Sequence, residues 1–561
     1  MTLYVLLTLV AGFLYGETAK PYNPQDHIAA NVDIYIELAP LEKINHYFKE
    51  FFFHLISKEP AQTQWNLLQQ VMVTNTGVNF LNLEELKTYG FDIKKAIGLG
   101  LRKKDSNVDQ KKKPQFSIVF PSYIPATLYR NILIRSDQRW EQYVVEKKLK
   151  TTLEVHELEK GKKAVIDPDE KIYLAKGNGF IVIANDLKLL NDSLEKPDKA
   201  IADKPGYKKL STNYMRKLRE QGGIISIFFN GHFLRSEAEK TDTTKADSVL
   251  EKIIAIAERF RADSNDILSV IHLTKNGLKY VSTSSIESNG PKTSPIQSII
   301  QRDSYLSRID RAKKDPYMYA KFQYNWVALF NYLEKLNLPF RPEVNKFLHG
   351  AIGHYAVANI SSDFTTWIDS NLSLYISKIP DLSKGKPDQG WQGSVSFNFD
   401  TNKRDLLINY IHKLKTQANK VTNVSVTFRK HKGVDEWEFI ETLKTSQNEE
   451  IKSDRKIASA INEKKTIVMV HSDEMIITFG RKKIPGVTSR PVIKRVGKII
   501  DYKAVNSFLY INLKSVIESL EKGKSSFTRL PYWTYIHNIQ QLRLYDYLEQ
   551  GYINSVVEIK L

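Results

Sequence analysis

Cysteine is absent from all 561 residues of the chain. That excludes a thiolate nucleophile, a cysteine-ligated iron–sulfur cluster and a Cys-type zinc site. It is compatible with an oxidising compartment, because a chain of this length buries cores large enough to fold without disulfides. Long apolar runs are also lacking. The opening MTLYVLLTLVAGFLYG, residues 1–16, is uncharged and apolar for about a dozen residues, the length of a signal-peptide core rather than of the roughly 20 residues that span a bilayer. No Lys or Arg precedes it, and Gly16 with Leu14 meets the small-residue cleavage rule only loosely. The expectation is a cleaved signal peptide over 1–16 and an exported protein, in the periplasm or associated with an outer membrane. The alternative is an uncleaved N-terminal anchor.

The motifs of common chemistries are missing too. There is no glycine–lysine phosphate loop and no dinucleotide fingerprint after a strand. No His-Glu-x-x-His pattern and no Gly-x-Ser-x-Gly elbow occurs. His349 and His354 are the closest histidine pair, but a spacing of five does not place both on one helical face. Ser-x-x-Lys matches at Ser193, Ser453 and Ser519 lack the Ser-Asp-Asn and Lys-Thr-Gly elements that would accompany them in a penicillin-recognising enzyme. The carboxylates of Asp167, Asp169 and Glu170 are ordinary turn chemistry around Pro168, without the glycine of a calcium loop. No cofactor and no metal is expected, and the chain reads as a non-enzyme. A hydrolase with residues assembled from distant positions stays open as an alternative.

What the chain has is charge, aromatics and a repeated plan. Lys and Arg number 82 against 63 Asp and Glu, a formal charge of +19 that favours anionic partners. Hydrophobic residues at 42% and aromatics at 11% are the composition of packed domains. The segment IYLAKGNGFIVIA, 172–184, lies over IVMVHSDEMIITF, 467–479, as strand, tight turn and strand in both. DIYIELAPLEKINHYFKE from Asp33 matches DPYMYAKFQYNWVALFNYLEK from Asp315, each a strand feeding an amphipathic helix. The stripes are Leu41, Ile44, Phe48, Phe51 and Leu55 in one, and Trp326, Leu329, Phe330, Leu333 and Leu336 in the other. Four more pairs follow in the same order, starting at Ala96 and Ala351, Gln115 and Gln392, Ile224 and Ser507, and Leu273 and Tyr547. The pattern predicts an α+β protein of two tandem, internally duplicated domains, each a mainly antiparallel sheet with helices packed on one face. The domains are 25–288 and 315–561, joined by a linker over 289–314.

Candidate binding residues fall in the insertions and in one aromatic excess. Arg102, Lys103, Lys104, Lys111, Lys112 and Lys113 form a charged hairpin tip. Arg481, Lys482, Lys483, Arg490, Lys494, Arg495 and Lys498 form a second basic segment. Either suits an anionic lipid or cell-wall polymer, and the reading that weighs more for either is a solvated tip that resists edge-to-edge association. Aromatics do not interleave with these cations as they do in single-strand nucleic-acid grooves, so nucleic acid is not expected. Phe51, Phe52 and Phe53 exceed one helical stripe and are candidates for an apolar groove.

The run LEELKTYGFDIKKAIGLGL from Leu83, a helix leading to Gly-Phe-Asp and a strand, together with the hairpins, resembles a poorly characterised class of exported bacterial proteins in which two α+β modules follow a signal peptide. That resemblance implies the architecture and no known activity. The expected role is an envelope binding or scaffolding module whose partners are anionic envelope components or another envelope protein. An apolar-ligand or lipid-binding protein is the alternative.

Overall fold

The computed structural model describes residues 22–103, 114–134, 155–234, 266–285, 298–300, 316–345, 367–378, 392–443, 462–480, 505–522, 538–549 and 552–561, apart from gaps of one to five residues within these ranges. Residues 1–16, Lys104, Lys111–Lys113 and the Arg481–Lys498 segment lie outside the described residues, as do His349, His354 and most of the linker. The chain is α+β and divides into two compact units. The first holds Met1–Phe233 with Asp266–Lys275, and the second Leu234–Asn265 with Asn276–Leu561.

In the first unit the strands are β1 (Ile34–Leu38), β2 (Ile97–Arg102), β3 (Gln115–Pro121), β4 (Val155–Leu158), β5 (Gly161–Asp167), β6 (Ile172–Lys176), β7 (Phe180–Ala184), β8 (Gly223–Phe229) and β9 (Ile267–Thr274). Every pairing is antiparallel, and the order across the sheet is β9-β8-β1-β2-β3-β7-β6-β5-β4. The helices are α1 (Leu41–Leu55), α2 (Lys58–Thr76), α3 (Leu83–Tyr89), α4 (125–132), α5 (Leu187–Glu195), α6 (Pro205–Leu210) and α7 (Asn213–Glu220).

Helix α3 shows how local sequence sets the core. Asn82 Oδ1 accepts the Glu85 N–H at 3.2 Å, and Gly90 closes the helix in the left-handed region at φ 97°. That turn drops Phe91 and Ile93 beside Leu86, Leu128, Leu174 and Ile181, the buried cluster between helices and sheet. The opposite face is also covered. Side chains at Gly98 and Gly100 would stand 2.7 Å from Pro24 Cβ and 2.8 Å from Ile28 Cγ2, so these two glycines admit the segment from Pro24 to Val32 directly onto the sheet.

The second unit contains β10 (Gly277–Ser285), β11 (Met318–Gln323), β12 (Asn371–Lys378), β13 (Gln392–Asn398), β14 (Val424–His431), β15 (Val434–Leu443), β16 (Asn462–Val470), β17 (Glu474–Gly480), β18 (Val505–Asn512), β19 (Gln541–Glu549) and β20 (Tyr552–Lys560). Its order, again antiparallel throughout, is β10-β20-β19-β18-β11-β12-β13-β17-β16-β15-β14. Helices α8 (Trp326–Lys335) and α9 (Arg404–Ala418) bury Trp326, Leu329, Phe330, Leu407, Ile411 and Leu414 against Val395, Phe397, Met475 and Ile477, and α10 (Leu513–Lys522) follows β18. The stripe expected in α8 is therefore its core face, while Leu336 lies outside the described residues. Strand β10 belongs to the second unit and pairs along its whole length with β20.

Run from β19 to β14, the strands of the second unit follow the order of those of the first unit from β9 to β4, strand for strand. Both also carry a register shift at the start of the corresponding strand, between Gly223 and Ile225 and between Val505 and Ser507. The ladders correct the hairpin overlay by one residue. Ser117 faces Ala184 and Ser394 faces Thr478, while Tyr173 faces Ala184 and Ile467 faces Thr478. Tyr173 thus corresponds to Ile467, not to Val468 as the sequence overlay had it. The corrected register places buried Leu174 and Ile181 on buried Val468 and Met475.

Candidate binding surfaces

Phe51, Phe52 and Phe53 sit in the second half of α1, all half-buried. Their excess over one stripe seats another helix. Trp65 of α2, 4% exposed, lies 5.3 Å from the Phe52 ring, 5.8 Å from Phe53 and 5.9 Å from Phe48, measured between ring centres. Such tilted and edge-on aromatic contacts hold α2 on α1.

The outward side of α2 is different. At 100° per residue, Leu67 and Val71 fall about 160° and about 120° round the helix from Trp65. They are 50% and 47% exposed, and Val73 on the flank is 45% exposed. Residues 60–83 contain no charged side chain in a chain that is 26% charged. Sequence reasoning passed over this helix because its apolar residues are diluted by Gln, Asn and Thr. The missing charge was the available signal.

Of the basic residues, Arg102 ends β2 opposite Gln115, and exposed Lys103 donates its N–H to Asp33 Oδ2 at 2.6 Å. This anchors the base of the expected hairpin tip on β1.

A buried ionic cluster of the first unit centres on Glu37, 8% exposed. Its Oε2 accepts from Tyr35 Oη at 2.8 Å and Gln25 Nε2 at 2.7 Å, and its Oε1 accepts from the Arg219 guanidinium. Lys43 Nζ donates to the backbone carbonyls of Arg219 and Glu220, the latter at 3.0 Å. Burial and then the Arg219 charge push the Lys43 pKa down. Burial and then the Glu37 charge push Tyr22, Tyr35 and Tyr207 up, so these phenols stay neutral. With three donors on its two oxygens, Glu37 ties β1 to α7 and to the N-terminal segment.

In the second unit the Arg404 guanidinium donates to Asp435, 2% exposed, and its Nε donates to the His471 carbonyl at 3.0 Å. It ties α9 to β15 in the same manner. Among the described residues no three His, Asp or Glu side chains are grouped to hold a metal ion, and no helix is long and apolar enough to cross a membrane.

No protein-family model matches the sequence, and no curated protein matches it. Among solved structures, crystal forms IV, I and III of TP0453, a Treponema envelope protein, are similar at 7%, 10% and 10% identity. They cover 47%, 50% and 49% of this chain and 81%, 84% and 84% of their own, with TM-scores of 0.25, 0.25 and 0.26. A likeness of that order assigns neither a family nor an activity.

Proposed function

We propose that the chain is an exported, non-enzymatic envelope protein built from two copies of one module, and that its first unit docks on an anionic lipid surface through α2. The exposed, uncharged outer side of α2 carries the reading. Leu67 and Val71 are half exposed on the part of the helix from residue 60 onward, which has no charge to desolvate, so immersing that side in the headgroup boundary costs no ion hydration. The net charge of +19 supplies long-range attraction to the same surface. Two copies of one module are supported by the shared strand order and by the register shift at the start of β8 and of β18.

The test is partitioning of wild type and the double variant L67D/V71D onto phosphatidylglycerol vesicles. Removing the apolar burial of two half-exposed side chains is worth about 2 kcal/mol, roughly a 30-fold loss of partitioning. The melting temperature should stay within a few degrees, because neither side chain is in the core. Equal partitioning of the two proteins would overturn the docking role of α2.

A further inference from the structure

Arg543 on β19 is 3% exposed, yet its Nε and Nη1 have no hydrogen-bond acceptor among the described residues. Nη2 donates to Gln541 Oε1 on the same strand. Nη1 lies 3.6 Å from Glu558 Oε2, an ion pair outside hydrogen-bond reach. Glu558 is shared, because its Oε1 also accepts from Tyr545 Oη at 3.1 Å and lies 3.3 Å from Lys279 Nζ.

The register fixes this company. Lys279 faces Glu558, Glu558 faces Arg543, Arg543 faces Tyr510, and Gln541 faces Lys560, so all project from one side of β10, β20, β19 and β18. Among the described side chains, Lys279, Arg543 and Lys560 together meet one carboxylate, that of Glu558, which leaves an excess of two positive side-chain charges. Burial and then the Arg543 charge push Lys560 down. Lys279, Glu558 and Lys560 beside it are half-buried.

The matching position of the first unit separates fold from function. Phe228 faces Leu268 there as Tyr510 faces Arg543 here, and Leu268 is fully buried. The same place in the same strand order is therefore filled by a plain hydrophobe, and exchanging buried ions for hydrophobes is often neutral or stabilising. A buried guanidinium with free donors is not what this sheet needs in order to fold.

We infer that Arg543, Lys279 and Lys560 form a binding site for a phosphate group, free or as a monoester. A phosphate carries about −1.5 to −2 at neutral pH, which balances the excess charge, and its oxygens are acceptors for the open Nε–H and Nη1–H. The site is separate from α2 and does not depend on lipid docking.

Calorimetric titration of the full chain with inorganic phosphate, and in a second arm with glycerol 3-phosphate, at constant ionic strength set by chloride, tests this. Wild type should bind. R543L, which installs the residue type of the matching position in the first unit, should keep its fold and lose binding. K279M and K560M should each weaken binding about tenfold, the usual worth of one charge-assisted contact. Binding of glycerol 3-phosphate but not of phosphate identifies an ester as the ligand, and the reverse identifies the free ion. No binding of either compound by wild type overturns the site. Undiminished binding by R543L also overturns it, and would place the phosphate on the other basic segments. If R543L fails to fold, undiminished binding by K279M and K560M is equally decisive against it.

Discussion

Gly98 and Gly100 decide which atoms cover the first sheet. Both lie on the face of β2 that carries Tyr35 and Glu37 on β1, and the Pro24–Val32 segment reaches the sheet only because no side chain stands there. At the matching places of the second unit the chain has Ser373 and Tyr375, so the same face is built from side chains there. Gln25 donates to Glu37 from within the covering segment, and Arg219 reaches the same carboxylate from α7. R219M leaves a buried carboxylate with its charge uncompensated, and should cost about 3 kcal/mol in urea unfolding of the first unit. A loss below 1 kcal/mol would mean that the two neutral donors suffice. The tyrosines of this cluster give a pH signature. Tyr22, Tyr35 and Tyr207 have folded pKa values raised by burial and by Glu37, whereas the unfolded chain ionises near pH 10. Their contribution is complete below pH 10 and is lost as pH climbs above it, at about 1.4 kcal/mol per pH unit for each phenol. Urea midpoints between pH 9 and 11 should fall, and Y207F should fall less steeply. Equal slopes would remove Tyr207 from the account.

Elements were legible where their periodicity was clean. The strand–helix starts at β1–α1 and β11–α8 follow from alternation passing into three- and four-residue steps, and the β6–β7 and β16–β17 hairpins follow from two apolar runs around a turn. The register of those hairpins was not legible. FIVIA and MIITF are continuous apolar runs, so sliding one past the other by a residue still matches apolar with apolar, and only the ladder to β3 and β13 fixes which residues face the helices. Helix α2 escaped for the opposite reason. Its sole buried anchor among the described side chains is Trp65, and one aromatic makes no period. W65A should therefore act locally. Amide exchange across 58–76 should accelerate strongly, while β1, β2 and β3 keep their protection. Exchange that rises equally in the sheet would show that α2 is an integral part of the core.

Across the whole molecule, charge and the shared strand order of the two units belong to different levels. The strand order rests on buried rows such as Val395, Ile477 and Val468, which surface charge does not touch. The +19 balance therefore concerns partners, and it should be read in salt dependence. Reversing Arg102, Lys103, Lys104 and Lys111 to glutamate tests whether that first basic cluster contributes. Each cation near an anionic vesicle is worth about 1 kcal/mol, and at physiological salt the attraction fades beyond about 8 Å. If the cluster meets the surface, the fourfold variant should lose most of its vesicle binding at low salt, and the gap to wild type should narrow as salt rises. Lys103 also holds Asp33 through its backbone N–H, which any side chain preserves, so the melting temperature should hardly move. Identical binding across the salt series would leave the cluster as a solvated tip, and the lipid contact would then rest on the neutral face of α2 alone. That outcome is separable from the loss expected of L67D/V71D, whose apolar contribution should persist at high salt, where the electrostatic part is screened.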